Sequence, residues 1–586
     1  MRALAIPFLL LLFLTGKVLA QSVDLVSYRE LPDPKPVDKT SWSTIKAGPH
    51  FSFTTADVRY GKHTTPDPSG VQASWKANAW KGEKVHTQAL LWSTSAMPQV
   101  TLSWSELKND KGSIIPASQV SARFIRFVMT DGLNPEGNNC DKRPVGKYDS
   151  SLVADPIDFV SVRDVPQQTA QPVWLSVAVP ATATTGSYAG TLTATSPSIS
   201  KPIVLSYSID VQHRTLPTPT DWTFHLDLWQ NPYSVARVHG VKVWSREHMD
   251  LMRPYMKMLA DAGQKSITAT IINDPWQSQT EDVYGSMVNW TKKKDGTWAY
   301  DYTIFDQWVR YMMDLGIDKF INCYSMIPWN LKFSYYDEAT QRDTFLIAKT
   351  GTPEYEAHWR PMLTDFARHL KQKGWFDKTT IAMDERPMKA MQQALALIKG
   401  VDKNFRVSLA GNYHPELAPD LINYSVATNQ TIDAPTRQRR QQAGFTTTYY
   451  TCCVERNPNT FTFSPPAEAT FISWYAANKG YDGYLRWAYN CWVKDPLLDS
   501  RFRTWAAGDT YIVYPGPRTS IRFERLIEGI QDYEKIRILR NEFAAKGQIN
   551  KARQLEKALS HFDIATLTSR SAADVLNPAK VLLNSL

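Results

Sequence analysis

The sequence predicts a multidomain protein: an N-terminal β-sandwich, a central (β/α)8 TIM-like barrel and a small C-terminal helical region. Three observations carry this. Short alternating apolar segments separated by Gly, Pro, Ser and Asn fill residues 51–211, as in an all-β domain. From residue 224 eight strand-like apolar runs alternate with helical patterns or loops, which fits a barrel of ordinary length. Beyond residue 516 apolar residues recur at helical spacing.

The chain opens MRALAIPFLLLLFLTGKVLAQS. Arg2, the apolar run from Ala3 to Leu14 and the ending Val18-Leu19-Ala20 make a secretory signal over residues 1–20. The run is too short to span a bilayer comfortably, and no later stretch is long and apolar enough to be a transmembrane segment. The mature protein is therefore expected to be exported, periplasmic or secreted. Its 566 residues (586 minus 20) suggest two to four domains.

Residues 21–215 are assigned to the sandwich. Segments such as KVHTQALLWS, SARFIRFVMT, QPVWLSVAVP and PIVLSYSIDV read as strands, and Gly186 and Gly190 flank a tight reversal. Nothing catalytic is legible in this half. Pro217 and Pro219 stiffen a linker over residues 213–222.

Residues 220–515 are assigned to the barrel. Its strands are expected at 224–228, 266–271, 319–326, 379–383, 406–412, 425–430, 446–451 and 483–489. Helices are expected over Ser245–Ala262, Thr303–Leu315, Glu354–Gln372, Pro387–Ile398 and Ala467–Asn478. The gaps 272–302 and 327–352 read as long loops after strands two and three. Long loops on a rigid scaffold often carry function. In the helical region, residues 516–586, Leu526, Ile530 and Tyr533 make one apolar face surrounded by Arg525, Glu528, Asp532 and Lys535. A second helix is expected over Lys551–Ser560.

The net charge of +9 falls to +7 once Arg2 and Lys17 leave with the signal. The basic residues are dispersed, without the stripe a nucleic-acid binder needs. With 20 Trp and 26 Tyr, the chain has flat rings for a large core and for stacking on sugar faces. There is no C-x-x-C or H-E-x-x-H pattern among its residues, so no metal site is expected. Five cysteines (Cys140, Cys323, Cys452, Cys453 and Cys491) leave at least one unpaired within a single chain. Cys452, Cys453 and Cys491 fall just past the neighbouring strands seven and eight. A bond from Cys452 or Cys453 to Cys491 is the pairing to test first, with buried free thiols the alternative.

The run TTIAMDERP, residues 379–387, ends a short strand in two adjacent carboxylates. Pro387 forbids further pairing. The C-terminal tip of a barrel strand is where catalytic side chains sit, and two acids there suggest acid/base work on a glycosidic bond. Neighbouring side chains cannot easily straddle a sugar as the two carboxyls of ordinary glycosidases do. They suit a 2-acetamido sugar, whose own carbonyl oxygen attacks the anomeric carbon. Asp384 would orient the amide and offset the charge of the oxazolinium ion. Glu385 would serve as general acid and then as general base.

The chain resembles glycoside hydrolase family 123, the β-N-acetylgalactosaminidases with a C-terminal domain. The resemblance rests on WKGEKVHTQALLWS, FHLDLWQNP, IAMDERP, and DGYLRWAYNCW running on to GDTYIVYPGPRTSIRFERLIEGIQDYEKI. It implies a sandwich plus barrel, exo-cleavage of terminal β-linked N-acetylgalactosamine from a glycan or glycoconjugate, retention through substrate assistance, and no cofactor. The family's Asp-Glu pair falls on Asp384 and Glu385. Rival readings are a β-hexosaminidase with GlcNAc or broad preference and a non-catalytic glycan-binding protein.

Position alone nominates further binding residues. Trp229, Trp276 and Trp487 are candidate stacking platforms. Asn412, Tyr413 and His414 follow strand five. Tyr449 and Tyr450 offer hydroxyls to an acetamido carbonyl. Asp227 and Arg486 either bind substrate hydroxyls or pair with charges inside the barrel. Core packing is the competing reading for each aromatic.

Overall fold

The protein is described from a computed structural model, covering residues 23–67, 71–137, 139–140, 142–144 and 147–586. The expected leader, residues 1–20, lies outside the described residues.

Two sheets form the N-terminal sandwich. One orders Pro49–Thr54, Lys84–Ser93, Thr169–Ala178, Val120–Thr130 and Ser151–Ile157. The other orders Ser74–Lys81, Ile203–Thr215, Gly186–Thr195, Met97–Trp104 and Val162–Val165. Their alternating residues turn inward, so Phe124 and Leu175 of one sheet share a core with Leu192 and Tyr207 of the other.

Eight parallel strands follow: His225–Leu228, Ser266–Thr270, Phe320–Tyr324, Thr379–Asp384, Arg406–Gly411, Leu421–Ala427, Thr446–Tyr450 and Gly483–Arg486. Their hydrogen-bonded order is first, eighth, seventh, sixth, fifth, fourth, third, second. A parallel bridge between Leu226 and Gln264 brings the first and second strands together. The Lys265 N–H adds a 2.9 Å bond to the Leu226 carbonyl, and the barrel is nearly closed.

The sixth strand starts earlier than the expected 425–430. Its polar Asn423 reaches His225 Nε2 at 3.4 Å inside the barrel, while Tyr424 and Val426 join the outer core. Polar residues on the inner face hide the strand from an apolar pattern.

The five expected helices form as Arg246–Ala260, Thr303–Asp314, Pro353–Lys373, Met388–Val401 and Pro466–Lys479. The helices Pro232–His239 and Ala434–Gln442 join them. The two long gaps are not plain loops. They pair with each other in a four-stranded sheet, ordered Trp298–Asp301, Asn289–Lys292, Lys332–Asp337 and Arg342–Ile347. Trp290 of this sheet stacks on His358 at 4.6 Å and fixes it to the helix Pro353–Lys373. It thereby stiffens the rim after strands two and three.

The C-terminal helices are Ile521–Ala545, Ile549–Leu559 and Ala572–Ser585. The long one is a seam rather than a solvated packing helix. Its charged residues Arg525, Asp532 and Lys535 are buried. Buried charges need partners, and both flanking domains supply them. Arg525 bonds Asp57 at 2.7 Å, Lys84 of the sandwich bonds Glu524 at 2.6 Å, and Trp474 beside the barrel donates to Asp532 at 3.0 Å. Among the described residues no helix is long and apolar enough to cross a membrane.

Candidate active site

The fourth strand, TTIAMD, is buried along its whole length and ends at Asp384. Glu385 then takes a positive φ of 30°, which turns the chain out of the strand. Its N–H still donates to the Ala410 carbonyl at 2.7 Å. This sharp exit brings two successive side chains to one cavity instead of opposite faces of a strand. Gly411 makes room for it: a Cβ there would lie 3.0 Å from both Cα and N of Glu385.

The two acids have different surroundings. Asp384 is 7 % exposed, whereas Glu385 is exposed. Oδ2 of Asp384 accepts the indole N–H of Trp329 at 2.8 Å, and its Oδ1 is buried without a hydrogen-bond partner. Burial pushes the Asp384 carboxyl up to about 6, Arg386 and the Trp329 donor oppose that rise, and Glu385 adds to it. Arg386 also clamps the turn. Its Nε donates to the Asp384 carbonyl at 2.6 Å, and its guanidinium lies 4.2 Å over the Trp329 ring. Glu385 Oε1 accepts the Tyr450 hydroxyl at 2.7 Å. Burial, then Glu385, raises the Tyr450 phenol, so it stays a donor.

Both acids line a cavity of about 260 Å³ at the C-terminal mouth of the barrel. Trp229 and Trp276 form one wall, stacked at 5.1 Å, with indole N–H groups that are buried and without partners. Trp487 and Trp505 form another, edge to face at 5.9 Å. Asp509 lies beside them. It accepts Arg486 Nη2 at 2.6 Å and Trp487 Nε1 at 3.3 Å. The cavity is lined by six aromatic side chains and three carboxylates among its other residues, the profile of a site that stacks and hydrogen-bonds a sugar. Among the described residues no cluster of three or more His, Cys, Asp or Glu is placed to hold a metal ion.

The sandwich also reaches the cavity. Cys140 lines it and forms a disulfide with Cys453, with Cα atoms 5.0 Å apart. This corrects the expected pairing with Cys491. Cys491 is a buried free thiol whose Sγ lies 3.0 Å from the Tyr284 hydroxyl, and Cys452 is a free thiol in the cavity wall. Through Cys140 the N-terminal half, where nothing catalytic is legible in the sequence, supplies part of the cavity wall. Around the bond, the Arg143 N–H donates to the Arg503 carbonyl at 2.8 Å, and Arg456 Nη1 donates to the Asn134 carbonyl at 2.7 Å.

The other candidates divide. Trp229, Trp276, Trp487 and Tyr450 line the cavity with the acid pair. Tyr449 does not. Strand alternation turns it outward, where its hydroxyl donates to the Ile472 carbonyl at 2.7 Å. Asn412 and His414 lie outside the lining, in a turn closed by the Tyr424 hydroxyl. That hydroxyl donates to the Asn412 carbonyl at 2.6 Å and accepts the His414 N–H at 2.8 Å. Tyr413 packs near Tyr424 outside the lining. Asp227 is buried in the barrel, bonded by Asn322 at 3.1 Å, and burial raises it to about 7. Arg486 pairs internally with Asp509. Trp329, Trp505, Gln279, Cys140 and Asp509 were not legible as site residues; for Trp329 and Gln279 the long loops were the only signal.

Comparison with known proteins gives the family. The family model "Glycoside hydrolase 123, catalytic domain" matches residues 229–539, and "Glycoside hydrolase 123 N-terminal domain" matches residues 53–196. A solved family 123 glycoside hydrolase from Clostridium perfringens, described for glycolipid glycan hydrolysis, is 26 % identical with a TM-score of 0.83. The alignment covers 92 % of this chain and 98 % of that one. β-Glucuronidase 3 of Bacteroides uniformis aligns over 78 % of this chain and 51 % of its own, at 11 % identity and a TM-score of 0.28, too low to argue from. No curated protein matches. The chain belongs to glycoside hydrolase family 123.

Proposed function

We propose that the protein is an exo-acting, retaining β-N-acetylgalactosaminidase that uses the substrate's acetamido group as nucleophile. One observation carries this. Asp384 and Glu385 share one cavity, yet the first is buried with a free carboxylate oxygen and the second is exposed and held by Tyr450.

In this reading Oδ1 of Asp384 accepts the acetamido N–H. The acetamido carbonyl oxygen bonds to C1 as the C1–O bond to the leaving group breaks. Glu385 gives its proton to the departing oxygen. The bicyclic oxazolinium ion carries a positive charge beside the Asp384 carboxylate, where the low-dielectric surroundings strengthen their attraction. Water then attacks C1 from the face the leaving group vacated, and Glu385 takes its proton. The acetamido group reforms and the anomeric configuration is retained. Holding the internal nucleophile against C1 supplies much of the rate.

Terminal β-linked GalNAc is the proposed substrate unit, supported by the family. Export is proposed from the leader-like residues 1–20 and from the Cys140–Cys453 disulfide, a bond at home in oxidising compartments.

The test is hydrolysis of aryl β-GalNAc and aryl β-GlcNAc by wild type, Glu385→Gln and Asp384→Asn. Turnover of the GalNAc substrate should fall by about 10²- to 10⁴-fold in each variant, with sugar binding kept in Glu385→Gln. Unaltered rates in either variant overturn the assignment. Equal rates on the two sugars favour a broad hexosaminidase.

A further inference from the structure

The one disulfide among the described residues opens onto the cavity rather than into a core, since Cys140 and Cys453 both line it. Cys453 is 7 % exposed and Cys140 is half-buried, so a small reagent entering the mouth meets the bond. Accessible disulfides are the ones that exchange with external thiols.

The bond also holds a wall in place. Trp505, which packs against Trp487, sits in the segment 499–509, outside any helix or strand. Sandwich residues clamp that segment. Backbone bridges join Met129 to Asp499 and Cys140 to Trp505. Asp131 Oδ1 accepts the Ala507 N–H at 3.0 Å, and the Arg143 N–H reaches the Arg503 carbonyl. Cys140 thus grips Trp505 through its backbone and the loop after strand seven through its sulfur. With the bond cut, the hydrogen bond from Arg456 to the Asn134 carbonyl still crosses this seam, but it is exposed, and water competes for it. The two acids are held separately. The Ala410 carbonyl, Trp329, Arg386 and Tyr450 fix them, and none of these belongs to the clamped segment.

The neighbouring Cys452 is a free thiol in the same wall, yet it does not reshuffle the pair. Burial, then the Glu455 and Asp509 carboxylates, hold it well above the usual thiol range, and a thiol attacks only as its thiolate.

We propose that the Cys140–Cys453 disulfide is a redox switch on substrate capture: once reduced, the protein loses the bracing of its Trp487–Trp505 wall and binds substrate more weakly. This rests on the reading that the cavity is the site of sugar hydrolysis. With a dithiol as reductant, one thiolate attacks the Cys140 sulfur, and Cys453 leaves as a thiolate and takes a proton. The second thiolate attacks the reagent's own sulfur in the mixed disulfide and releases Cys140, which also takes a proton. The dithiol ends as its cyclic disulfide, and its two electrons reside in the two protein thiols.

The experiment compares wild type, with and without dithiothreitol, and the double variant Cys140→Ser/Cys453→Ser on aryl β-GalNAc, with hydrogen exchange read by mass spectrometry. Reduction without denaturant should raise KM about tenfold and change kcat about twofold at most, because the wall shapes binding while the acids stay in place. Reoxidation should restore KM. The double variant should have the raised KM from the start and ignore dithiothreitol, although Cys323, Cys452 and Cys491 remain in it. Exchange should rise in residues 499–509 and stay unchanged in 379–384. A double variant that still responds overturns the proposal, as does a bond that opens only in denaturant. So does exchange that rises throughout the chain, which marks unfolding; these wild-type arms decide the matter even where the double variant does not fold. Wild type inert on every 2-acetamido glycoside overturns the underlying reading, and the switch with it. Turnover with a KM that ignores reduction overturns the switch alone.

Discussion

The Tyr450 hydroxyl donates to Glu385 Oε1 at 2.7 Å, joining the tip of the seventh barrel strand to the tip of the fourth across the cavity mouth. Glu385 is otherwise exposed and leaves its strand through a left-handed turn, so this bond fixes where its proton is delivered. Tyr450→Phe should lower kcat about 10- to 100-fold with little change in KM or thermal midpoint. Steady-state kinetics on an aryl β-GalNAc checks it. An unchanged kcat would show that Glu385 needs no such guide.

Asp384 makes a pH prediction with two signs. Burial holds its carboxyl at about 6, and the proposed role needs the ionised form. The acid limb of kcat/KM should therefore lie near pH 6. Stability runs the other way. A carboxyl that is harder to ionise when folded favours the folded state below about pH 4, and that contribution is lost as pH rises to about 6. Near neutral pH the buried charge costs roughly 2–3 kcal/mol. Asp384→Asn should slow turnover by the same factor, about 10²- to 10⁴-fold, yet raise the thermal midpoint at pH 7.5, as scanning calorimetry would read.

Trp329 donates a hydrogen bond to Asp384 Oδ2 at 2.8 Å, and this favours the charged carboxylate. Trp329→Phe keeps a ring for Arg386 and removes the donor. The acid limb should move upward by about one pH unit, since a lost bond to a charged group is worth that much. A limb that stays in place would separate Trp329 from the titration.

The Cys140–Cys453 disulfide ties the sandwich to the loop after strand seven, 313 residues away in sequence. Peptide mapping without reduction should recover this pair and no bond to Cys491. Replacing both cysteines by Ser should lower the thermal midpoint, since native disulfides are worth about 2–4 kcal/mol. A Cys491 disulfide in the map would contradict the structure.

These features differ in how far the sequence announced them. The barrel was legible because its strands are short runs of β-branched, aromatic or apolar residues, such as SITAT and TTIAMD, bounded by loops. The sixth was blurred by Asn423 and Ser425 on its inner face. The acid pair was legible because both members come from one strand end. Tyr449 and Tyr450 could not be told apart, because a barrel strand buries both faces and its pattern does not say which is inner. Asp509, Trp505 and Cys140 were hidden for another reason. They sit in irregular segments, and only tertiary contacts such as Arg486–Asp509 and Cys140–Cys453 bring them to the mouth. The long C-terminal helix was legible as a helix, but buried and solvated charges look alike in sequence until their partners are placed.

In the proposed chemistry the sugar's own amide attacks the anomeric carbon. The most direct measurement is kcat/KM for aryl β-GalNAc substrates whose N-acyl group carries zero, one, two or three fluorines. Fluorine draws electrons from the carbonyl oxygen, so the rate should fall steeply and log-linearly across the series, with retained configuration in the product. A rate indifferent to fluorination would place the nucleophile on the protein or on water and contradict the account.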